Sequence, residues 1–492
     1  MISYKSTRGS KNFKNAAQAV IQGIAEDKGL YVPDSVPKLP FEIKDMVGKP
    51  YKEIAQAVIG SFFTDYSQEE IRACVDGAYD SKFEEKEIVP VKKGGDAYFL
   101  ELYHGKTAAF KDMALSILPY LLTTAMKKEK EEKKICILTA TSGDTGKAAL
   151  EGFADVPGTE IVVFYPNKGV SQVQERQMVT QEGANTHVFA INGNFDDAQT
   201  GVKKIFNDNE FAAELAKRGL KLSSANSINI GRLVPQVAYY VYGYIKLVGD
   251  GVITVGDSIN VTVPTGNFGN ILAAYYAKQM GIPIAKLICA SNENRVLTDF
   301  INTGVYDIRR EFYLTNSPSM DILISSNLER LLYHLCGNDG DEVRKLMESL
   351  DSEKKYEVGE KIRSGMKDFV GGTANVEETN AAIGEMYEKN GYLMDTHTAV
   401  AYKVYADYRK NTGDKTPTLI ASTASAYKFA DSVAKSIGLG DEADGFAYIR
   451  ALNEKTGVRI PAGLKGLETK EIRHKGVLDV PDMKKAVSEC LK

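Results

Sequence analysis

Ser258-Ile-Asn-Val-Thr-Val-Pro-Thr-Gly-Asn-Phe-Gly-Asn-Ile-Leu-Ala-Ala274 reads as a strand, a glycine loop and the start of a helix. Gly266 and Gly269 let the backbone turn tightly, and the loop then delivers free N–H groups at a helix N-terminus, where a phosphate is favoured. A plain strand-to-helix connection with no ligand fits the same residues. The spacing is not Gly-x-Gly-x-x-Gly, which disfavours a dinucleotide.

Strand-like and helical runs alternate on both sides of this stretch. Tyr98–Leu102, Lys134–Thr139, Glu160–Tyr165, Thr186–Ile191, Ile259–Pro264, Ala285–Ala290 and Pro417–Ala421 read as strands, with helical runs such as Gly146–Phe153 and Ile271–Met280 between them. That alternation predicts an α/β protein with mostly parallel sheets. Residues 1–90 read mostly helical, with Ala16–Ala25 and Tyr51–Phe63 amphipathic and a proline-rich, irregular link at 30–40. The expected division is therefore 1–90 and 91–492, the second part holding a smaller α/β unit at about 115–235 inserted in a larger one. The charge run Lys127–Lys134 reads as a solvated helix end.

The chain has 492 residues, 43% hydrophobic and 26% charged, an ordinary globular composition that allows two to four domains. A net charge of −4 without a basic stripe argues against a nucleic-acid partner. The five cysteines are scattered and form no Cys-x-x-Cys pair, so neither a metal site nor a disulfide framework is expected, in keeping with a reducing compartment. Met1–Gly9 lacks the apolar core of a secretory signal, and Met113–Met126 is too short for a membrane span; the expectation is a cytoplasmic chain.

Four further motifs carry chemistry. In His104-Gly-Lys-Thr-Ala-Ala-Phe-Lys-Asp112, Lys111 follows a turn and opens an apolar helical run. It is either a surface charge or an amine that carries an aldehyde cofactor. Thr139-Ala-Thr-Ser-Gly-Asp-Thr-Gly-Lys-Ala-Ala149 fails as a P-loop, because Thr141 and Ala148 stand where glycine and a hydroxyl residue are needed. What remains, Ser142, Gly143, Asp144 and Thr145, is a nest suited to a small anion such as a carboxylate, or simply a helix cap. Asn226, Ser227, Asn229 and Arg232 bring amide, hydroxyl and guanidinium donors together on a turn, either a phosphate receptor or a cap with a surface arginine. Thr423 ends a strand, where a ligand-facing hydroxyl sits in an open α/β sheet and where a helix cap also fits. His397 reads as a capping or structural residue, and His104 as a turn contact or part of a site wall.

The combination and order of these motifs closely resemble the threonine synthases, pyridoxal phosphate (PLP) enzymes of the fold-type-II, tryptophan-synthase-β-like group. The resemblance starts at Tyr4-Lys-Ser-Thr-Arg-Gly9 and Gln22–Pro33, passes through the motifs above and reaches Ile472-Arg-His474. It implies two α/β domains around a cofactor cleft behind an N-terminal, mainly helical domain. It implies Lys111 as the covalent anchor of PLP, Gly266, Asn267, Phe268, Gly269 and Asn270 around the cofactor phosphate, and Thr423 facing the pyridine nitrogen. Ser142, Gly143, Asp144 and Thr145 are then expected to bind the substrate carboxylate, and Asn226, Ser227 and Arg232 the substrate phosphate. The implied reaction turns O-phospho-L-homoserine and water into L-threonine and phosphate.

Three positions depart from the family pattern: Lys106 replaces a proline, Ala426 replaces a proline and Asn270 replaces an aspartate. Lys106 either tightens anion binding or points to solvent. Two alternatives stand beside this reading. One is a serine/threonine dehydratase or cysteine-synthase-type lyase, which needs no receptor for a substrate phosphate. The other is a non-catalytic protein of the same fold that binds phosphate or a nucleotide.

Overall fold

The structure, a computed structural model, describes residues 1–141 and 143–491. The N-terminal part pairs β1 (Tyr4–Ser6) antiparallel with β2 (Tyr31–Pro33) and adds the helices Ala16–Gln22, Tyr51–Phe62 and Gln68–Ala78. Two of these helices start in capping boxes, Asn15 with Gln18 and Ser67 with Glu70, so their first N–H groups are satisfied locally. The apolar face of Tyr51–Phe62 packs on the long helix Ile230–Gly249, with Tyr51 edge-on to Tyr79 and Tyr242 at ring distances of 5.2 and 5.4 Å.

The chain then forms β3 (Val91–Gly94) and β4 (Ala97–Glu101) and crosses into β5 (Lys134–Ala140), β6 (Thr159–Pro166), β7 (Thr186–Ile191) and β8 (Leu220–Ser223). It returns through β9 (Ile259–Pro264) and β10 (Ile284–Ser291), makes the small pair β11 (Val305–Asp307) and β12 (Lys355–Glu357), and adds β13 (Phe369–Thr373) and β14 (Thr418–Ser422). A last short strand, β15 (Gly476–Leu478), comes from the C-terminal tail.

The larger sheet has six strands in the order β13-β10-β9-β14-β4-β3, parallel except for the β3–β4 pair. The smaller sheet is fully parallel, in the order β15-β7-β6-β5-β8. All six residues of β9 and all five of β14 are buried, as expected of strands covered on both faces. All seven strands expected from sequence are present. β15 is a difference: the smaller sheet takes an edge strand from residues 476–478, which a unit spanning only about 115–235 omits. The following helix, Met483–Cys490, lays Met483 and Val487 into the apolar cluster of Val162, Phe164 and Ile191, so the tail is built into that domain.

The carboxyl ends of β4, β9 and β14 bring the lysine loop, the glycine loop and Thr423 together on the larger sheet. The helix Asp144–Phe153 presents its N-terminus to them from the smaller sheet. No helix among the described residues is long and apolar enough to cross a membrane.

Candidate active site

Ala108–Phe110 runs beside Thr423–Ser425. The Phe110 N–H donates to the Thr423 carbonyl at 2.7 Å, and the Ser425 N–H donates to that of Ala108 at 3.0 Å. Asp112 folds back over the same loop, accepting the Thr107 N–H at 2.8 Å and the Thr107 hydroxyl at 2.6 Å. A Cβ on Gly105 would lie 2.5 Å from the Asp112 carboxylate, so only glycine fits beneath it. The loop is thereby pinned from both sides, and the Lys111 Nζ reaches Ser319 Oγ at 3.2 Å and Asp144 Oδ2 at 3.4 Å. Burial lowers the proton affinity of the Lys111 amine; Asp144 opposes this, while Arg232 and Lys428 add to it.

Asp144 lies at the first turn of its helix, behind Gly143, which has φ +138° and no room for a Cβ against the Gln174 amide at 2.6 Å. Its carboxylate accepts from Gln174 Nε2 at 3.0 Å and pairs with Lys428 Nζ at 2.9 Å. Lys428 is fully buried and also donates to Gln177 Oε1 at 2.7 Å. Burial works against an ionised Asp144, but the charges of Lys428 and Lys111 outweigh it and hold the carboxyl well below the ordinary carboxylate range. The Asp144 side chain is thus committed to two lysines, and the Gly143 N–H already donates to Thr141 Oγ1 at 3.0 Å. Thr145 is half-buried on the same turn, and Ser142 lies outside the described residues.

In the glycine loop, Phe268 takes a left-handed conformation, φ +63°, and the helix Gly269–Met280 begins directly after it. The Gly266 carbonyl accepts from Ser325 Oγ at 2.7 Å, and that of Asn267 from the Asn327 N–H at 3.1 Å and side chain at 3.0 Å. Gly269 and Asn270 lie in the first helical turn, whose N–H groups have no intrahelical acceptor. Asn267 is exposed, whereas Asn270 is buried, its Oδ1 accepting from the hydroxyls of Tyr239 at 2.6 Å and Tyr240 at 2.5 Å. Those two hydroxyls account for the departure at this position: an amide oxygen receives both without a buried charge.

Arg232 is buried and donates one Nη1 bond to the Ala225 carbonyl at 2.9 Å; burial brings its guanidinium down to about 10. Among the described residues, six buried side-chain atoms lack a partner: Tyr51 Oη, Asp65 Oδ1, Gln177 Nε2, Thr262 Oγ1, Arg232 Nε and Asn270 Nδ2. Unsatisfied buried donors are costly, and the last two stand on the turn and the glycine loop expected to hold phosphate, where an acceptor from outside the chain would satisfy them. Together with a helix N-terminus and a buried amine of lowered proton affinity, they fit a phosphorylated aldehyde and a phosphorylated substrate.

Asn226 and Ser227 are half-buried at the same cleft. Asn226 Oδ1 accepts from Thr139 Oγ1 at 3.1 Å, and the Ser227 carbonyl accepts from Asn327 Nδ2 at 3.2 Å. Asn327 therefore ties the Ser227 turn to the glycine loop. Arg330, fully buried, accompanies it, donating to Asn327 Oδ1, to the Ile228 carbonyl at 2.5 Å and to that of Tyr31 at 2.9 Å, which anchors the N-terminal region to the site. Thr423 is buried at the end of β14. Lys106 turns outward, half-exposed, and pairs with Glu151 at 2.9 Å. His104 Nε2 sits 2.9 Å from Glu101 Oε2.

Ser319, Lys428, Gln174 and Asn327 were not singled out from sequence. Lys428 lies five residues after Thr423 in the same motif, and a lysine in an otherwise apolar Ala-Tyr-Lys-Phe-Ala run was the one available signal.

Three family models match the chain: "Threonine synthase N terminus" at residues 3–79, "Pyridoxal-phosphate dependent enzyme" at 89–424 and "Threonine synthase, C-terminal" at 398–487. Threonine synthase-like 1 of Homo sapiens is 42% identical over 86% of this chain, and the match spans 58% of the relative's own length. Threonine synthase of Pseudomonas aeruginosa is 37% identical over 89% of this chain and 90% of its own. Among solved structures, the PLP-bound threonine synthase from Brucella melitensis superposes with a TM-score of 0.88 at 36% identity, covering 100% of this chain and 99% of that one. The yeast threonine synthase gives 0.88 at 32% identity, covering 99% and 98%. By its three matching models and by relatives that align along most of its length, the chain belongs to the threonine synthase family of pyridoxal-phosphate-dependent enzymes.

Proposed function

We propose that this chain is a threonine synthase, converting O-phospho-L-homoserine and water to L-threonine and phosphate with PLP held on Lys111. The observation that carries this reading is a buried Lys111 amine of lowered proton affinity close enough to feel the charge of Arg232, whose buried Nε has no partner among the described residues. The relatives and solved structures that bear this name support it.

In this reading Gly266, Asn267, Phe268, Gly269 and Asn270 hold the cofactor phosphate, and Thr423 stands at the pyridine nitrogen. When bound, PLP supplies the electron sink for the charge that develops on the substrate carbons. Lys111, released from its anchoring role, takes the Cα proton, a task suited to an amine kept neutral by burial. The turn of Ser142, Gly143, Asp144 and Thr145 receives the substrate carboxylate. Asn226, Ser227 and Arg232 hold the phosphate, which leaves from Cγ as a proton is lost from Cβ; protons return to Cγ and Cα, and water adds at Cβ. Lys428 keeps Asp144 ionised and the two domains together around the substrate. A dehydratase has no use for the Asn226–Arg232 receptor, which favours the phosphorylated substrate.

The same reading makes a small molecule the only obligate partner and the cytoplasm the site of action. It divides the chain near residue 90, with the smaller α/β unit at about 115–235 extended by β15 and its helix.

The test is direct. Purified protein supplied with O-phospho-L-homoserine should release threonine and phosphate in equal amounts, and should turn over free serine or threonine far more slowly. Lys111→Ala should lower turnover by at least about 10²–10⁴-fold, the range of a lost proton-transfer group. Turnover near the wild-type rate in that variant, or a preference for free serine, would refute the assignment.

A further inference from the structure

We propose that Ser319 is a catalytic residue of the Lys111 step, its hydroxyl holding the amine once it has taken a proton, and that Asp395 and His397 position it. The role in turnover rests on the threonine synthase reading; the contacts do not.

Ser319 lies on the short turn Pro318–Met320 and is tied through three separate groups. Its Oγ lies 3.2 Å from Lys111 Nζ and 3.4 Å from Asp144 Oδ2, so Lys111 donates to it and it donates to Asp144. Its carbonyl presses on the glycine loop, where a Cβ on Gly266 would come within 2.4 Å. Its N–H donates to His397 Nε2 at 3.1 Å. A ring that accepts at Nε2 carries its proton on Nδ1 when neutral, and Nδ1 lies 2.9 Å from Asp395 Oδ2. Asp395 is fixed in turn by the N–H groups of His397 at 3.0 Å and Thr398 at 3.1 Å and by the Thr398 hydroxyl. The pair is buried, and the imidazole packs on Phe429 at 4.8 Å.

An ammonium at Lys111 is poorly supported by what else surrounds it. Arg232 and Lys428 repel it, and Asp144 divides its charge between two lysines. A hydroxyl oxygen at 3.2 Å adds an acceptor, and Ser319 passes part of the demand on to Asp144. In this step the proton stays on Nζ and no bond of Ser319 breaks.

A serine that only packed its turn would leave the proton affinity of Lys111 unchanged, so the experiment reads that quantity. The apoprotein is treated with an acylating amine reagent across a pH series, and acylation at Lys111 is followed by peptide mass spectrometry. In Ser319→Ala the midpoint should move to lower pH, by about one pH unit for a lost hydrogen bond to a charged group. In the loaded enzyme kcat should fall about tenfold or more while KM changes little. Ser319→Thr, which keeps the hydroxyl, should restore both. His397→Ala should move the midpoint in the same direction, and His397→Gln, which keeps an acceptor for the Ser319 N–H, should bring it back. A Lys111 midpoint in Ser319→Ala that matches the wild type overturns the proposal. If the wild type forms no threonine, the functional assignment fails, but the apoprotein measurement still decides the role of Ser319.

Discussion

Lys111 has the chemistry of its surroundings rather than of a free lysine. Burial removes solvent from the ammonium, and the carboxylate beside it, Asp144, is also paired with Lys428. Gly266 shows how tightly that environment is built. A methyl group there would lie 2.4 Å from the backbone oxygen of Ser319, which cannot swing aside as a flexible side chain can. Gly266→Ala should therefore push the glycine loop and the Ser319 turn apart, at a cost of about 1–3 kcal/mol, the usual range for overpacking. PLP affinity should drop, measured by titrating the apoprotein with the cofactor; unchanged affinity and unchanged urea midpoint would contradict the contact. At this scale the sequence was informative where residue type is chemistry. Lysine, arginine and glycine each have properties that few others share. Ser319 escaped notice because a serine in Ser-Pro-Ser has no distinguishing type, and its position beside Lys111 joins residues 208 apart.

The lysine loop and the helix it opens depend on Asp112, whose carboxyl is buried under Gly105 and Thr107. Burial raises it to about 6; the Thr107 hydrogen bonds oppose that. An acid whose folded value lies above its ordinary 3.8 binds more protons folded than unfolded between those values. Its contribution to stability is therefore greatest in acid and declines as pH rises from about 4 to about 6, by roughly 3 kcal/mol in all. Asp112→Asn removes that titration. The difference in unfolding free energy between wild-type and variant apoprotein, measured in urea at several pH values, should shrink or change sign across this window and stay flat above it. A difference independent of pH between 4 and 7 would show that the carboxyl is not displaced. Elements were legible where their pattern is long and apolar, as in β5, β6, β9 and β14. β3 is half polar, β13 carries Gly371 and Gly372, and β15 has three residues, so none of them produces a run that stands out from a loop.

Across the whole molecule, one apolar cluster joins Val261, Val263 and Leu419 of the larger sheet to Ile135, Ile137 and Val163 of the smaller, and charges link the two at the cleft. Lys428, on the larger domain, is held by Asp144 and Gln177 of the smaller one. The smaller domain is completed by the C-terminal tail, with β15 closing the edge of β7 and the last helix covering its apolar face. Truncation after residue 475 should expose that edge and remove Met483, Val487 and Leu491 from the cluster, each worth about 1.5–3 kcal/mol when buried. Calorimetry should then show a lower unfolding temperature and light scattering should show aggregation; a transition at the wild-type temperature would mean that the tail is dispensable. On the proposed function a drop in threonine formation follows too, because Asp144 opens the helix after β5 of that sheet.

The α/β class, the helical N-terminal part, seven of the eight strands of five or more residues and the identity of the groups able to do chemistry follow from the amino-acid sequence alone. Periodicity, turn residues and side-chain type are local properties, and they survive without coordinates. Only the tertiary structure decided that Lys106 faces solvent and pairs with Glu151, that Asp144 is a counter-charge to two lysines, and that Ser319, His397 and Asp395 stand behind Lys111. It also placed β15 on a sheet formed hundreds of residues earlier. The reason is physical: ion pairing, desolvation and hydrogen-bond partners depend on distances across the fold, and no short-range pattern in the chain encodes them.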